Sequence, residues 1–312
     1  MTKDIGLVWI KDDFRIKKNY ALSEATKKHD LVTAFYLYKK KKFEKQEAQK
    51  WWIVNSLKYF KTKLNNFNIN LEIINVDSYK LFFDKLIKNK NFSVYWNKTY
   101  EPDYLKFDNY LHECFINKNI QCKVFKGNIL NEIDEIKKGD GTPFKVFTPF
   151  WRTAEQIYLN QPPSKNYIVK KKTKAINFFK NSIDLKNILP NKKWYEKFDK
   201  YWKVSENDSQ KILKDLLENK IKDYGTNRDI PSINGTSRLS PYLKFGQIHV
   251  NTIWKKCSEL KSKGIGYRKY INELGWREFS HSLINYFPEF LKGNFREEFD
   301  KFPWAKNEKF LK

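Results

Sequence analysis

Ile5-Gly6-Leu7-Val8-Trp9-Ile10, followed at once by Lys11-Asp12-Asp13-Phe14-Arg15, decides how the first half of this chain is read. The six-residue run has strand length and is rich in β-branched and aromatic side chains, and a polar turn closes it. Working outward, residues 31–37 (LVTAFYL), 69–75 (INLEIIN), 92–96 (FSVYW) and 120–125 (IQCKVF) repeat the pattern. Between them lie longer stretches with helical spacing, marked by Trp52, Leu57, Phe60 and Leu64 and by Leu81, Phe82 and Leu86. Strands alternating with helices predict an α/β domain, a doubly wound, mostly parallel sheet of Rossmann-like type, over residues 1–130. No GxGxxG follows the first strand, which argues against ordinary dinucleotide binding there. The carboxyl ends of the strands remain available to another ligand.

Residues 131–200 lose this regularity, with Gly139-Asp140-Gly141-Thr142-Pro143, Gln161-Pro162-Pro163 and the polar run Lys170 to Lys174, and read as a connector. Within it Phe147-Thr148-Pro149-Phe150-Trp151-Arg152 is too aromatic for a free linker and is expected to pack on a domain. Beyond residue 200 strand signals vanish. Segments 208–222, 241–261 and 266–287 have helical periodicity, with Asp208 or Ser209 and Ser240 as N-caps and Pro241 in a first turn.

Composition narrows the partners. The formal charge of +25 invites nucleic acid, yet only seven of the 61 basic residues are arginine. So lysine-rich a bias, amid abundant Asn and Ile, looks like an AT-rich coding sequence, and a run such as Lys39 to Lys42 reads first as a solvated face. The arginines carry more weight. Apolar runs are too short for a membrane span, and Met1-Thr2-Lys3-Asp4 leads straight into a strand without signal-peptide features, so a cytoplasmic protein is expected. Cys114, Cys122 and Cys257 lack metal or disulfide spacing and are expected to be reduced, mostly buried thiols.

Two stretches carry chemistry. Gly235-Thr236-Ser237-Arg238-Leu239-Ser240-Pro241-Tyr242-Leu243-Lys244-Phe245-Gly246 sets hydroxyls and an arginine before a helix start, where orphan N–H groups favour an anion. A capped helix start, with Arg238 in an ion pair, accounts for the same residues. In Glu273-Leu274-Gly275-Trp276-Arg277-Glu278-Phe279, Tyr270, Glu273, Trp276 and Arg277 recur at three- and four-residue spacing on one helix side. Phe279 and Leu283 are better placed for the core. A Trp beside a carboxylate can stack on a base and bond its edge; a core Trp with a Glu273–Arg277 surface pair fits the spacing too.

Taken together, these residues resemble the DNA photolyase and cryptochrome family, most closely bacterial cyclobutane-dimer photolyases. The ordered matches run from Leu7-Val8-Trp9, Asp13, Arg15, Asn19 and Ala21-Leu22 through Tyr95-Trp96-Asn97, Tyr100-Glu101-Pro102 and Phe147 to Trp151. They continue with Tyr224, Arg228-Asp229 and Pro231, the two motifs above, and Phe302-Pro303-Trp304. The resemblance implies FAD in a helical domain, here residues 201–312, and a possible second, light-harvesting chromophore of folate or deazaflavin type on the α/β domain. It implies flavin contacts from Tyr224, Thr236, Ser237, Arg238, Leu239, Ser240 and Tyr270. Glu273 and Trp276 would meet a flipped pyrimidine dimer, Arg228 and Arg277 would approach DNA, and Trp304 would be the outer tryptophan of an electron relay. The implied reaction is light-driven repair of cyclobutane pyrimidine dimers by electron transfer from excited reduced FAD, by a monomer and without a metal. Two other outcomes are a cryptochrome-like blue-light sensor and a flavin-free basic nucleic-acid-binding remnant. Lys11-Asp12, Lys18 and Tyr20 depart from the family pattern around the antenna site. The family's helical domain continues past Trp304, so the expectation for these 312 residues is an incomplete FAD domain with uncovered apolar faces and weak or no flavin binding.

Overall fold

The structure, a computed structural model, describes residues 5–44, 46–89, 91–161, 169, 173–189, 193–303 and 305. All five expected strands form: β1 (Ile5–Ile10), β2 (Leu31–Tyr38), β3 (Asn70–Asn75), β4 (Phe92–Asn97) and β5 (Cys122–Phe125). They make one parallel sheet in the order β3-β2-β1-β4-β5, with Trp9 of β1 level with Phe35 and Trp96. The side chains of β1 alternate between two cores. Leu7 and Trp9 join Phe83 and Leu86 of α3 (Tyr79–Leu86) and Leu111 and Phe115 of α4 (Pro102–Asn117). Val8 and Ile10 join Leu22 of α1 (Tyr20–Lys28) and Val54, Leu57 and Phe60 of α2 (Glu47–Asn65). Both faces of the sheet are therefore covered, which is why its strands read as near-continuous apolar runs. On α3 the buried face is Phe83 and Leu86; Leu81, read as part of it, points away and is exposed because it lies off that three-residue spacing.

Most of the apolar residues that follow pack on the side of α1 and α2, while Phe178 and Phe179 join the core under α3 and α4. In the aromatic stretch, α5 (Phe147–Leu159) lies against α11 (Ile265–Tyr286), with the Phe150 and Phe279 rings 5.0 Å apart. Residues 173–183 then clasp the sheet: Lys174 N donates to Asp30 O at 2.8 Å and Ile183 N to Ile73 O at 2.7 Å. The buried Glu72 carboxylate receives the amides of Phe178 and Phe179, both at 2.8 Å, although burial itself raises its pKa. Pro162, Pro163 and Lys170 to Lys172 lie outside the described residues.

Short α6 (Phe198–Tyr201) leads to α7 (Glu206–Asp215), continued by a π-helical turn at Leu216–Lys220. The α7 N-cap is Ser205, whose hydroxyl accepts from Asp208 N at 3.0 Å, rather than Asp208 or Ser209. After α8 (Tyr224–Asn227), the expected helix over 241–261 is two: α9 (Ser240–Lys244), which Ser240 begins rather than caps, and α10 (Val250–Ser258). The break has a tertiary cause. Gly246 adopts φ +65°, and a Cβ there would fall 2.0 Å from the carbonyl oxygen of Asp12. The chain leaves its helix where it meets the β1–α1 loop, and only glycine allows both the conformation and the approach.

Candidate functional site

In a doubly wound sheet a ligand crevice opens at the carboxyl ends of the strands where the strand order reverses, here between β1 and β4. The loop after β1 uses that position to dock the helical region. Asp13, buried, gathers Lys11 N at 2.9 Å, Asn97 Nδ2 at 2.6 Å and Asn19 Nδ2 at 3.2 Å on its carboxylate. Arg15, 1% exposed, sends Nη1 to Gly246 O at 2.8 Å and Nη2 to Lys18 O at 3.1 Å. Glu206 on α7 accepts the amides of Ile16 at 2.9 Å and Lys17 at 3.0 Å. A carboxylate thus occupies the place where a dinucleotide fold presents its phosphate-binding amides, a physical reason for the missing glycine fingerprint.

Lys11, the first residue of the same loop, reaches toward the other face of the sheet. Its ammonium donates to both oxygens of Asp108 on α4, at 2.9 and 2.8 Å, and lies 4.7 Å from the Trp9 ring centroid. Burial lowers the Lys11 pKa and raises that of Asp108, against their mutual attraction. A cavity of about 180 Å³ lies beside this pair, lined by Tyr36, Lys42, Gln49, Tyr79 and Tyr104 among others.

A larger cavity of about 390 Å³ separates the loop ends of the sheet from the helical region. Six of the candidate site residues line it: Tyr224, Ser237, Ser240, Tyr270, Glu273 and Arg277. Tyr270 and Glu273 rise from consecutive turns of α11, and the buried Tyr270 ring meets Tyr224 edge-on at 5.1 Å. Burial holds the Tyr270 phenol protonated, well above its ordinary pKa. Thr236, Arg238, Leu239, Arg228 and Trp276 do not line this cavity. Leu239 is buried, whereas Arg238 adopts φ +54° and lays its guanidinium 4.2 Å from the Trp202 ring centroid. Its Nη2 donates to Tyr201 O at 3.3 Å, so Arg238 has a cation–π partner and a carbonyl in place of an ion pair.

Glu273 is ion-paired with Arg228 of the α8 C-cap rather than with Arg277. That hydrogen bond raises the arginine pKa further, and both side chains stay partly open to solvent, at 28% for Arg228 and 39% for Glu273. Arg277 instead gives Nη2 to Asn128 O at 2.6 Å and Nη1 to Glu278 Oε1 at 2.9 Å, while Glu278 accepts Leu130 N at 2.7 Å. Trp276 is 48% exposed and stacks on Phe147; Phe279 is buried and Leu283 packs against the core, as their spacing predicts. Trp304 lies outside the described residues.

Residues from the sheet domain that were not singled out as site residues complete the cavity, including Asp12, Asn97, Tyr100, Glu101 and Asn128. Their signal was position, since they end or follow β1, β4 and β5, the strand ends where such folds bind. His281, one α11 turn beyond Arg277, also lines it, with its pKa lowered to about 3 by burial and then by Arg277 and Lys244. Exposed apolar side chains are frequent in the helical region, Ile230, Ile265, Leu291 and Phe302 among them. Cys257 is buried but Cys114 and Cys122 are half-buried, so thiol burial is less complete than expected. Among the described residues no helix is long and apolar enough to cross a membrane.

A family described as DNA photolyase matches residues 6–167. A deoxyribodipyrimidine photo-lyase of Agrobacterium fabrum is 29% identical over 98% of this chain and 64% of its own length. Cryptochrome-2 of Arabidopsis thaliana is 25% identical over 96% of this chain and 51% of its own. The crystal structure of a bacterial class III photolyase from Agrobacterium tumefaciens superposes with TM-score 0.87 at 27% identity, covering all of this chain and 65% of that one. The chain therefore spans less than two thirds of the length of these relatives.

Proposed function

The chain belongs to the DNA photolyase family, and from that footing we propose that it serves light-driven repair of cyclobutane pyrimidine dimers in DNA, with reduced FAD as the photoactive group. The observation that carries the reading is the shared wall of the 390 Å³ cavity, where Ser237 and Ser240, the buried phenol of Tyr270 and the carboxylate of Glu273 meet. Two hydroxyls over an aromatic floor fit the phosphate and ribityl portion of a flavin. The volume lies toward the low end of small-molecule sites, roughly 300–1,000 Å³. When bound, excited reduced FAD supplies the electron that opens the dimer.

The chain's own groups bind and orient. Ser237 and Ser240 donate to anionic oxygens, Tyr270 stays neutral and excludes water, and Glu273 offers acceptors to the N–H edges of an extruded pyrimidine. Arg228 meets a DNA phosphate once it leaves Glu273, and Trp276 gives an indole on which a base can stack.

The test begins with the absorption spectrum of the 312-residue protein after reconstitution with FAD and removal of free flavin. If this polypeptide performs the reaction by itself, flavin is retained and photoreduces under blue light, and dimers are lost from an irradiated oligonucleotide at a rate that E273Q slows. Retained flavin without dimer loss would favour a light sensor. A colourless protein would refute the reading for this polypeptide.

A further inference from the structure

The FTPFW and ELGWREF stretches lie more than a hundred residues apart, yet they form one packing device. Gly275 sits where α11 crosses α5, and a Cβ on it would come within 2.5 Å of the Trp151 ring. That missing side chain lets the helices approach closely enough for Trp276, the residue after Gly275, to meet Phe147, one turn before Trp151 on α5. Phe147 and Trp276 stack with ring centroids 3.8 Å apart and planes 7° from parallel. Phe279 braces both edge-on, at 6.0 Å from Phe147 and 5.9 Å from Trp276, and Phe150 backs Phe279. Despite this support Trp276 is 48% exposed. An indole with one face covered by a parallel ring and much of its surface still in water is an unusual use of a large apolar side chain, since full burial contributes more.

We propose that Phe147 is a positioning residue: it covers one face of Trp276 and fixes the indole so that its opposite face is a preformed stacking platform for an unstacked pyrimidine. The inference rests on the proposed recognition of a dimer by Trp276 and deepens it. A free indole on a helix surface would sample several rotamers, and ordering it on binding would weaken affinity; the Phe147 ring removes that cost in advance. Gly275 is the second part of the device, because it sets the distance between the helices that carry the two rings.

The experiment uses the whole chain without flavin and two single-stranded thymine oligonucleotides, one carrying a central cyclobutane dimer and one intact. Protein labelled with 5-fluorotryptophan reports the ten indoles separately by fluorine NMR, the Trp276 resonance being assigned from W276A. F147A is expected to move that resonance, leave the others in place, and weaken dimer binding about fivefold while intact-strand binding stays within twofold. F147Y, which keeps the ring, should bind as the native protein does. F147L keeps apolar bulk in the α5–α11 seam without a flat ring, so it reproduces the F147A loss if F147A itself does not fold. In a W276A background, F147A should cost less than twofold, because its effect passes through the indole.

Equal weakening of both oligonucleotides, or an undiminished F147A effect in the W276A background, would mean a merely structural role and overturn the proposal. A native protein that prefers the dimer, with F147A preferring it equally, overturns the proposal and leaves the proposed function standing. A native protein that does not distinguish the strands overturns both.

Discussion

Two carboxylate–cation pairs, one beside the smaller cavity and one at the wall of the larger, are set apart by their surroundings. Lys11–Asp108, at the crest of the sheet, is 4% and 3% exposed, doubly hydrogen-bonded and capped by the Trp9 ring. Arg228–Glu273, at the mouth between the helices, is 28% and 39% exposed and shares Arg228 with Asp229 at 3.2 Å. Burial makes the first pair a fixed part of the fold, because each charge left alone there would be unsolvated. Solvent makes the second exchangeable, since water or a phosphate can replace either partner at little cost. Chemistry of one kind is thus locked into the fold or left replaceable according to what encloses it.

The largest effect should come from breaking the sealed pair. D108A leaves the Lys11 ammonium buried without its carboxylate and is expected to cost about 3–5 kcal/mol in urea unfolding. The double change K11M/D108L, which removes both charges and keeps apolar volume, should recover most of that loss. If D108A unfolds within ~1 kcal/mol of the native protein, water reaches Lys11 and the contrast with the open pair collapses.

A smaller loss is expected where the helices that carry the open wall meet. G275A gains helix propensity of about 1 kcal/mol but forces a Cβ into the Trp151 ring, for a net cost of about 1–2 kcal/mol. Unchanged stability with an unchanged near-UV spectrum would show that α5 and α11 have room to separate, and the seam would then set no distance.

The crest and the mouth also differ in how far the sequence reveals them. The five strands are legible because a sheet covered on both faces demands continuous apolar runs, and IGLVWI is such a run. Tyr270, Glu273 and Arg277 are legible as one wall because helical spacing brings them together, and all three line the cavity. Local spacing says nothing about pairing across elements. It suggested Glu273–Arg277, whereas each found a partner elsewhere, in Arg228 on α8 and in Glu278 with the Asn128 carbonyl. Lys11 reads as an ordinary polar turn residue, since its partner lies 97 positions away. The helix break at Gly246 was hidden for the same reason: the carbonyl that imposes it belongs to Asp12. Ser205 escaped notice as a cap because it precedes the first turn of the periodic pattern.

A third measurement concerns protons in the cleft. His281, its folded pKa about 3, resists the proton that it would take near pH 6.5 when unfolded. Its folded pKa is depressed below the unfolded value, so the unfolded state binds more protons between those limits. Stability is therefore lost as pH falls through 6.5 toward 3. Between pH 7 and 5.5 the native protein should lose about 1 kcal/mol that H281N does not lose. The buried His249, also held neutral by burial and by Arg15, Lys18 and Arg277, titrates in both proteins and cancels in the difference. Identical pH profiles for the two proteins would mean that the cleft hydrates His281 fully, and that its wall is as open as the Arg228–Glu273 mouth.

The smallest stability change should come from the open pair itself, and that smallness is the point. R228A removes an ion pair in solvent and is expected to shift unfolding by less than ~0.5 kcal/mol, about a tenth of the effect at the crest. Its consequence should appear instead in DNA binding, as a uniform weakening and a salt-dependence slope reduced by about one unit, the signature of a single lost phosphate contact. E273Q separates the two partners. It frees Arg228 in the unliganded protein without removing it, so binding to intact DNA should hold or strengthen while discrimination for the dimer falls. Were R228A instead to destabilise the fold by several kcal/mol and leave the salt slope unchanged, the mouth pair would be scaffold like the crest pair, and exposure would have failed as the guide to which charges this protein can exchange.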